Sequence, residues 1–126
     1  MAIVAIGTDI VEIARISEQR ERLGDRLARR VLTEPELATY MQSKQPERFL
    51  AKRFAAKEAA AKALGTGIGR GVSFQHIHID NDANGAPQVR FTDGALARLE
   101  QLAGKQGFIS IADEKHYAVA TVVLES

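Results

Sequence analysis

The sequence contains no cysteine and no tryptophan, and only 3 prolines and 3 histidines in 126 residues. Without cysteine there is no disulfide, no thiol nucleophile and no cysteine-bound zinc. Nothing approaches the run of about 20 apolar residues needed to cross a bilayer. Met1–Ile6 is apolar but too short for a signal peptide, and no positive region precedes it. Repeats, low-complexity tracts and linkers are also missing. Aromatic residues are few, five Phe and two Tyr, which leaves little of the stacking surface that single-stranded RNA readers use. These absences point to a cytoplasmic protein with a single domain over residues 1–126, built on one core.

What is present is an uneven charge pattern. The formal net charge is only +1, yet six arginines between Arg15 and Arg30 face only Glu18, Glu21 and Asp25. Six basic residues between Lys44 and Lys62 face only Glu47 and Glu58. A local basic region in a near-neutral chain suits an anionic ligand or an acidic partner, and does not suggest bulk nucleic-acid binding.

Ala2–Ile6 reads as a buried strand, after which Asp9 and Glu12 fit the two acceptors of a helix-capping box. A helix through Ile13, Ile16 and Leu23 follows, with Gly24-Asp25 as its interruption. Thr33-Glu34-Pro35-Glu36 starts another helix. The longest helix is predicted over Pro46–Leu64, with proline near its first turn and Gly65 just past its end. Val72–Ile79 and Pro87–Thr92 read as strands joined through Asn84-Gly85. Asp93 caps a helix to about Ala103. Phe108–Ala112 and Tyr117–Leu124 form a last pair of strands. Helices early and strands late give an α+β fold with a mainly antiparallel sheet.

On the long helix, Leu50, Phe54, Ala61 and Leu64 form an apolar stripe at about 100° per residue. Lys57 falls inside that stripe, where an ammonium must snorkel or find an anion. Glu58 lies at its edge, with Lys62 one turn on as a surface partner. Gly65-Thr66-Gly67-Ile68-Gly69 is neither a Walker loop nor a dinucleotide fingerprint. It can end the helix or offer backbone N–H groups to a phosphate. Asp9 is either the helix cap described above or a ligating carboxylate. With Glu58 it would supply the one or two carboxylates that a magnesium ion takes beside phosphates and water. If the first helix continued through Gly24, Arg15, Arg22, Arg26 and Arg29 would share one face, docking an anionic partner or merely solvated. His76 and His78 would share a strand face, but no third ligand is suitably spaced for zinc.

The stretch Ile6-Gly7-Thr8-Asp9-Ile10-Val11-Glu12-Ile13-Ala14-Arg15-Ile16 resembles the first signature of the bacterial holo-acyl-carrier-protein synthases. Arg48–Ala63 resembles the second, around Phe54-x-x-Lys57-Glu58-Ala59-x-x-Lys62, and Gly65-Thr66-Gly67 follows as in that family. Their separation, the length and the element order fit the short, single-unit class of phosphopantetheinyl transferases, so the resemblance spans essentially the whole chain. It implies transfer of the 4′-phosphopantetheine arm of coenzyme A to a serine of apo-acyl carrier protein, with release of adenosine 3′,5′-bisphosphate, in support of fatty acid biosynthesis. It also implies a homotrimer with sites shared between neighbouring subunits.

By that resemblance, Asp9 and Glu58 bind Mg2+ together with the coenzyme A pyrophosphate. Lys62 contacts the pyrophosphate, and Arg53 and Lys57 lie among the phosphate-binding groups. Gly65–Gly67 shapes the nucleotide site, and Arg15 and Arg22 dock the acidic helix of the carrier. Glu58, directly or through a metal-held water, is the expected base, and Lys62 offsets charge on the leaving phosphate. One stretch departs from the pattern. Many members carry Ser-x-Ser-His-Ser where this chain has Ser110-Ile111-Ala112-Asp113-Glu114. The histidine's nucleotide-binding role is therefore not carried over to Asp113. Two other readings stand beside the enzyme. One is a binding module whose basic helical face holds an acidic protein or RNA. The other is a structural subunit without activity. Neither accounts for Asp9, Glu58 and Lys62 together.

Overall fold

A computed structural model of the chain describes all of residues 1–126. Its first strand, β1 (Ile3–Glu12), leads into α1 (Ile13–Leu23), α2 (Arg26–Val31), α3 (Glu34–Gln42) and the long α4 (Pro46–Ala63). A short turn of 3-10 helix at Phe74–His76 precedes the hairpin β2 (Ile77–Asn81) and β3 (Pro87–Phe91). Then come α5 (Asp93–Gln101) and the closing hairpin β4 (Gln106–Asp113) and β5 (Tyr117–Glu125). The fold is α+β. One antiparallel sheet has the order β1-β5-β4, and β2-β3 form a separate antiparallel pair.

Strand alternation decides what each face of the larger sheet does. Ala118, Ala120, Val122 and Leu124 of β5 point inward and are buried against α4. The opposite face carries Ile6 and Ile10 of β1, Phe108 of β4, and Tyr117 and Val119 of β5, all exposed. α4 is buried on almost every side, because alanine fills the flanks that its larger apolar residues leave. Ala55, Ala56, Ala59, Ala60 and Ala63 are all in the core. Small side chains let β1 approach very closely. A Cβ added at Gly7 would lie 2.2 Å from the Ala59 carbonyl oxygen and 2.5 Å from the Ala63 nitrogen. Those are backbone atoms, so nothing larger than glycine fits there.

Three expectations change, and the interruption expected at Gly24 holds. β1 runs on through Asp9 to Glu12, because Asp9 pairs with Ala120 and Glu12 with Tyr117 in the register with β5. Asp9 is therefore a strand residue and not a cap; Glu12 takes the cap position of α1 without a side-chain bond. Gly24 ends α1 at φ +63, so Arg26 and Arg29 belong to α2 and only Arg15 and Arg22 keep the common face. The segment before Ile77 is not strand: His76 sits in the 3-10 turn and its Nδ1 accepts from Ser73 N at 3.1 Å. His78 instead pairs with Thr92 Oγ1, so the two histidines form no metal pair. Thr92, not Asp93, holds the cap position of α5.

Candidate active site

The seam between β1 and α4 brings three of the sequence-derived residues together. β1 continues past Gly7 as a strand, so Thr8 and Asp9 lie beside the last turns of α4. Lys62 Nζ donates to Asp9 Oδ1 at 2.8 Å and to the Thr8 carbonyl at 3.2 Å. The Asp9 side chain is 15% exposed and that of Lys62 51%, so the ammonium reaches the carboxylate from the solvent side. Glu58 lies one turn before Lys62 but does not pair with it; Lys62 takes Asp9 instead. Burial raises the Glu58 pKa, and the nearby Asp9 carboxylate raises it further, against Lys62 and Arg30. Asp9 and Glu58 are the two carboxylates at this seam that could serve a hard divalent cation.

Asp9 and Glu58 open onto a cavity of ≈ 360 Å³ whose wall includes Arg15, Ile16, Arg30 and Phe54. The exposed end of the site is thus flanked by α1. Arg15 and Arg22 are both exposed and lie about 20° apart around that helix. Arg22 is in its last turn.

Lys57 is elsewhere. It is 0% exposed, and its ammonium donates to Glu36 Oε1 at 2.6 Å, to the Val31 carbonyl at 2.8 Å and to the Phe74 carbonyl at 3.1 Å. Glu36 in turn accepts from Thr33 N at 2.9 Å and from Ile79 N at 2.8 Å. Every donor of the ammonium is used, so Lys57 has nothing left for a phosphate. Its phosphate-binding role is corrected to that of a buried tie between α2, α3, α4 and β2. Burial pulls its pKa down, and Glu36 opposes that pull.

Arg53 faces a different cavity. It lies nine positions before Lys62, on the opposite side of α4 and about 13 Å away along its axis. One chain therefore does not bring Arg53 and Lys62 to the same phosphate group. Arg53 is 9% exposed, stacks over Phe49 and donates from Nη2 to Asn81 Oδ1 at 3.2 Å. Its Nε has no partner. It lines a cavity of ≈ 310 Å³ with Arg48, Lys52, Asn81, Pro87 and Ile111. Arg48 and Lys52 escaped the sequence reading, although their one-turn spacing on a helix was a usable signal. Glu36 escaped it because it resembled an ordinary first-turn acid.

Gly65 and Gly67 adopt φ +78 and +63, as a helix-ending turn requires. Gly65 N donates to the Lys62 carbonyl at 2.9 Å, and Thr66 N and Gly67 N both donate to the Ala61 carbonyl. The N–H groups are spent on closing α4, so they form no phosphate cradle. What Gly65 can offer a nucleotide is room beside the helix end.

The profile of the 4′-phosphopantetheinyl transferase superfamily matches residues 5–122. The holo-[acyl-carrier-protein] synthase of Shewanella frigidimarina is 98% identical over 126 residues, 100% of both chains. The crystal structure of the Neisseria meningitidis holo-[acyl-carrier-protein] synthase superposes with a TM-score of 0.92 at 42% identity, covering 99% of this chain and 100% of that one. The Helicobacter pylori holo-[acyl-carrier-protein] synthase in complex with coenzyme A superposes with a TM-score of 0.83 at 31% identity, covering 95% and 99%. Sequence, fold and the carboxylate–lysine seam therefore agree that this chain belongs to the 4′-phosphopantetheinyl transferase superfamily, among its holo-[acyl-carrier-protein] synthases.

Proposed function

We propose that the chain moves 4′-phosphopantetheine from coenzyme A to a serine of an apo-acyl carrier protein. The observation that carries this reading is the convergence of Asp9, Glu58 and Lys62 at the β1–α4 seam. The serine oxygen attacks the β-phosphorus of coenzyme A. The bond to the bridging pyrophosphate oxygen breaks, and adenosine 3′,5′-bisphosphate leaves with that oxygen. Glu58 takes the serine proton, directly or through water; its raised pKa brings it nearer to the hydroxyl it must deprotonate. Lys62, already aimed at Asp9 from the solvent side, offsets charge on the leaving phosphate.

Asp9 and Glu58 fit a magnesium ion, since they are two neighbouring carboxylates and the pyrophosphate would complete the oxygen set. When bound, that ion supplies charge neutralisation at the pyrophosphate.

The cavity around Arg53 is assigned to the 3′-phosphate, the only other phosphate of coenzyme A. Because Arg53 and Lys62 lie on opposite sides of α4, the two ends of the nucleotide are held by neighbouring copies. We infer a homotrimer with shared sites, and the exposed Ile6, Ile10, Phe108, Tyr117 and Val119 suit burial between copies. Arg15 and Arg22 dock the acidic helix of the carrier beside the Glu58 cavity. No helix is long and apolar enough to cross a membrane, and the proposed location is the cytoplasm.

The test is mass spectrometry of purified apo-carrier after incubation with coenzyme A and magnesium. Wild type should add one phosphopantetheine group. Asp9→Ala and Glu58→Ala should lose turnover by about 100-fold or more while staying folded. Wild-type turnover in either variant, after chelator treatment and magnesium return, would refute the assignment. Lys62→Met and Arg53→Met chains, each inactive alone, should regain activity when mixed. No recovery on mixing, in chains that exchange subunits, would refute the shared site.

A further inference from the structure

Asp113, at the end of β4, has no part in the transfer described above. Its carboxylate lies 2.8 Å from Arg48 Nη1 and 3.6 Å from Lys52 Nζ. Both cations line the cavity that holds Arg53. The cavity wall therefore carries three cations, and two of them already face an anion of the chain.

Those two are held differently. Arg48 also donates from Nη1 to the Glu114 carbonyl at 2.7 Å and from Nη2 to the Lys115 carbonyl at 3.4 Å. It stays in place without Asp113. Lys52 has Asp113 as its only ion-pair partner, and its side chain is 39% exposed. Arg53, behind them, has an unpartnered Nε and donates from Nη2 to Asn81 Oδ1, with no carboxylate at ion-pair distance. The wall thus holds one fixed cation, one buried cation and one movable cation, and the movable one rests on Asp113.

We propose that Asp113 is a positioning residue for the 3′-phosphate of coenzyme A: it keeps Lys52 beside the cavity as an internal counter-ion, and the entering phosphate takes Lys52 over from it. The proposal rests on the assignment of the 3′-phosphate to this cavity. Binding then exchanges one ion pair for another and does not create one from a free cation. The consequence is weaker binding of the nucleotide, and so easier release of adenosine 3′,5′-bisphosphate after transfer.

Calorimetric titration of coenzyme A and 3′-dephospho-coenzyme A into wild type, Asp113→Asn and Asp113→Glu tests this. Asparagine keeps an acceptor for Arg48 and removes the charge. For Asp113→Asn, coenzyme A should bind about fivefold more tightly, the size of an exposed ion pair, while dephospho-coenzyme A is unchanged. Asp113→Glu should match wild type. In a Lys52→Met background most of the gain from Asp113→Asn should vanish. Unchanged or weaker coenzyme A binding in Asp113→Asn overturns the proposal. So does an equal change for both ligands, which would reduce Asp113 to a brace of the β4–β5 turn. If wild type binds both ligands equally, the 3′-phosphate does not reach this cavity, and the placement of the nucleotide fails together with the proposal. If wild type prefers coenzyme A but ignores Asp113→Asn, only the proposal fails.

Discussion

Lys57 and Lys62 stand on the same helix a little over a turn apart, and the two sides of α4 treat them in opposite ways. On the α3 side, Lys57 is sealed from solvent and its charge is answered from within the chain, by Glu36 and two carbonyls. On the β1 side, Lys62 is half exposed and meets only Asp9 and one carbonyl. A charge that the fold has fully satisfied has no capacity left for a ligand. A charge that is partly satisfied and wet can exchange its partner. The difference separates structure from chemistry within one helical motif that shows two identical residue types.

The strongest way to break this contrast is to remove the buried lysine. Lys57→Met leaves Glu36 charged and without its ion partner inside the core. It should cost about 3–5 kcal/mol in urea unfolding, as loss of one member of a buried pair does. Adding Glu36→Leu should recover part of that loss. Lys62→Met should cost less than about 1 kcal/mol by the same measurement, although its transfer rate falls steeply. Equal stability losses at the two positions would erase the distinction.

The fold was legible from the chain to a large extent, because helix starts and ends carry local marks. Thr33 and Glu36 form the capping box of α3, and Pro46 and Gly65 bracket α4. What stayed hidden depends on partners far away in sequence. β1 appeared to stop before Asp9, because Thr8 and Asp9 are polar; the strand continues only because β5 pairs with it. The meeting of Asp9 with Lys62 could be expected from the resemblance but not from spacing. The fate of Lys57 depended on Glu36, a residue whose position at a helix start already explained it. Alanine, which carries little hydropathy signal, concealed how completely α4 is enclosed.

A smaller effect sharpens the comparison at the proposed docking face. Arg15 and Arg22 are exposed and answered by no carboxylate at ion-pair distance, so they resemble Lys62 more than Lys57. Arg22→Glu should weaken carrier binding and flatten its salt dependence, with coenzyme A binding nearly unchanged. Carrier affinity at several salt concentrations measures this. Equal salt slopes for variant and wild type would make the face mere solvated surface.

The smallest effect concerns Asp113, whose pair with Arg48 is intermediate in exposure. A hydrogen bond from Arg48 holds the Asp113 carboxyl below the usual carboxylate range, helped by Lys52. A carboxylate whose folded pKa is depressed adds stability that is complete above its unfolded pKa. That stability is lost as pH falls through the folded value. Wild type should therefore exceed Asp113→Asn in stability near neutrality by less than about 1 kcal/mol, seen as a higher melting temperature. The gap should close in acid. A gap that widens as pH falls would contradict the direction of the shift.

The close approach at Gly7 has a consequence for how this seam can vary. Its neighbours are main-chain atoms of Ala59 and Ala63, which no choice of side chain on α4 can move aside. Two residues further along the same strand, Asp9 holds Lys62. A substitution that wedged the strand away would lengthen that ion pair as well as open the core. In a library randomised at position 7, selection for folding and selection for turnover should return the same single letter. At position 9, selection for folding alone should return many.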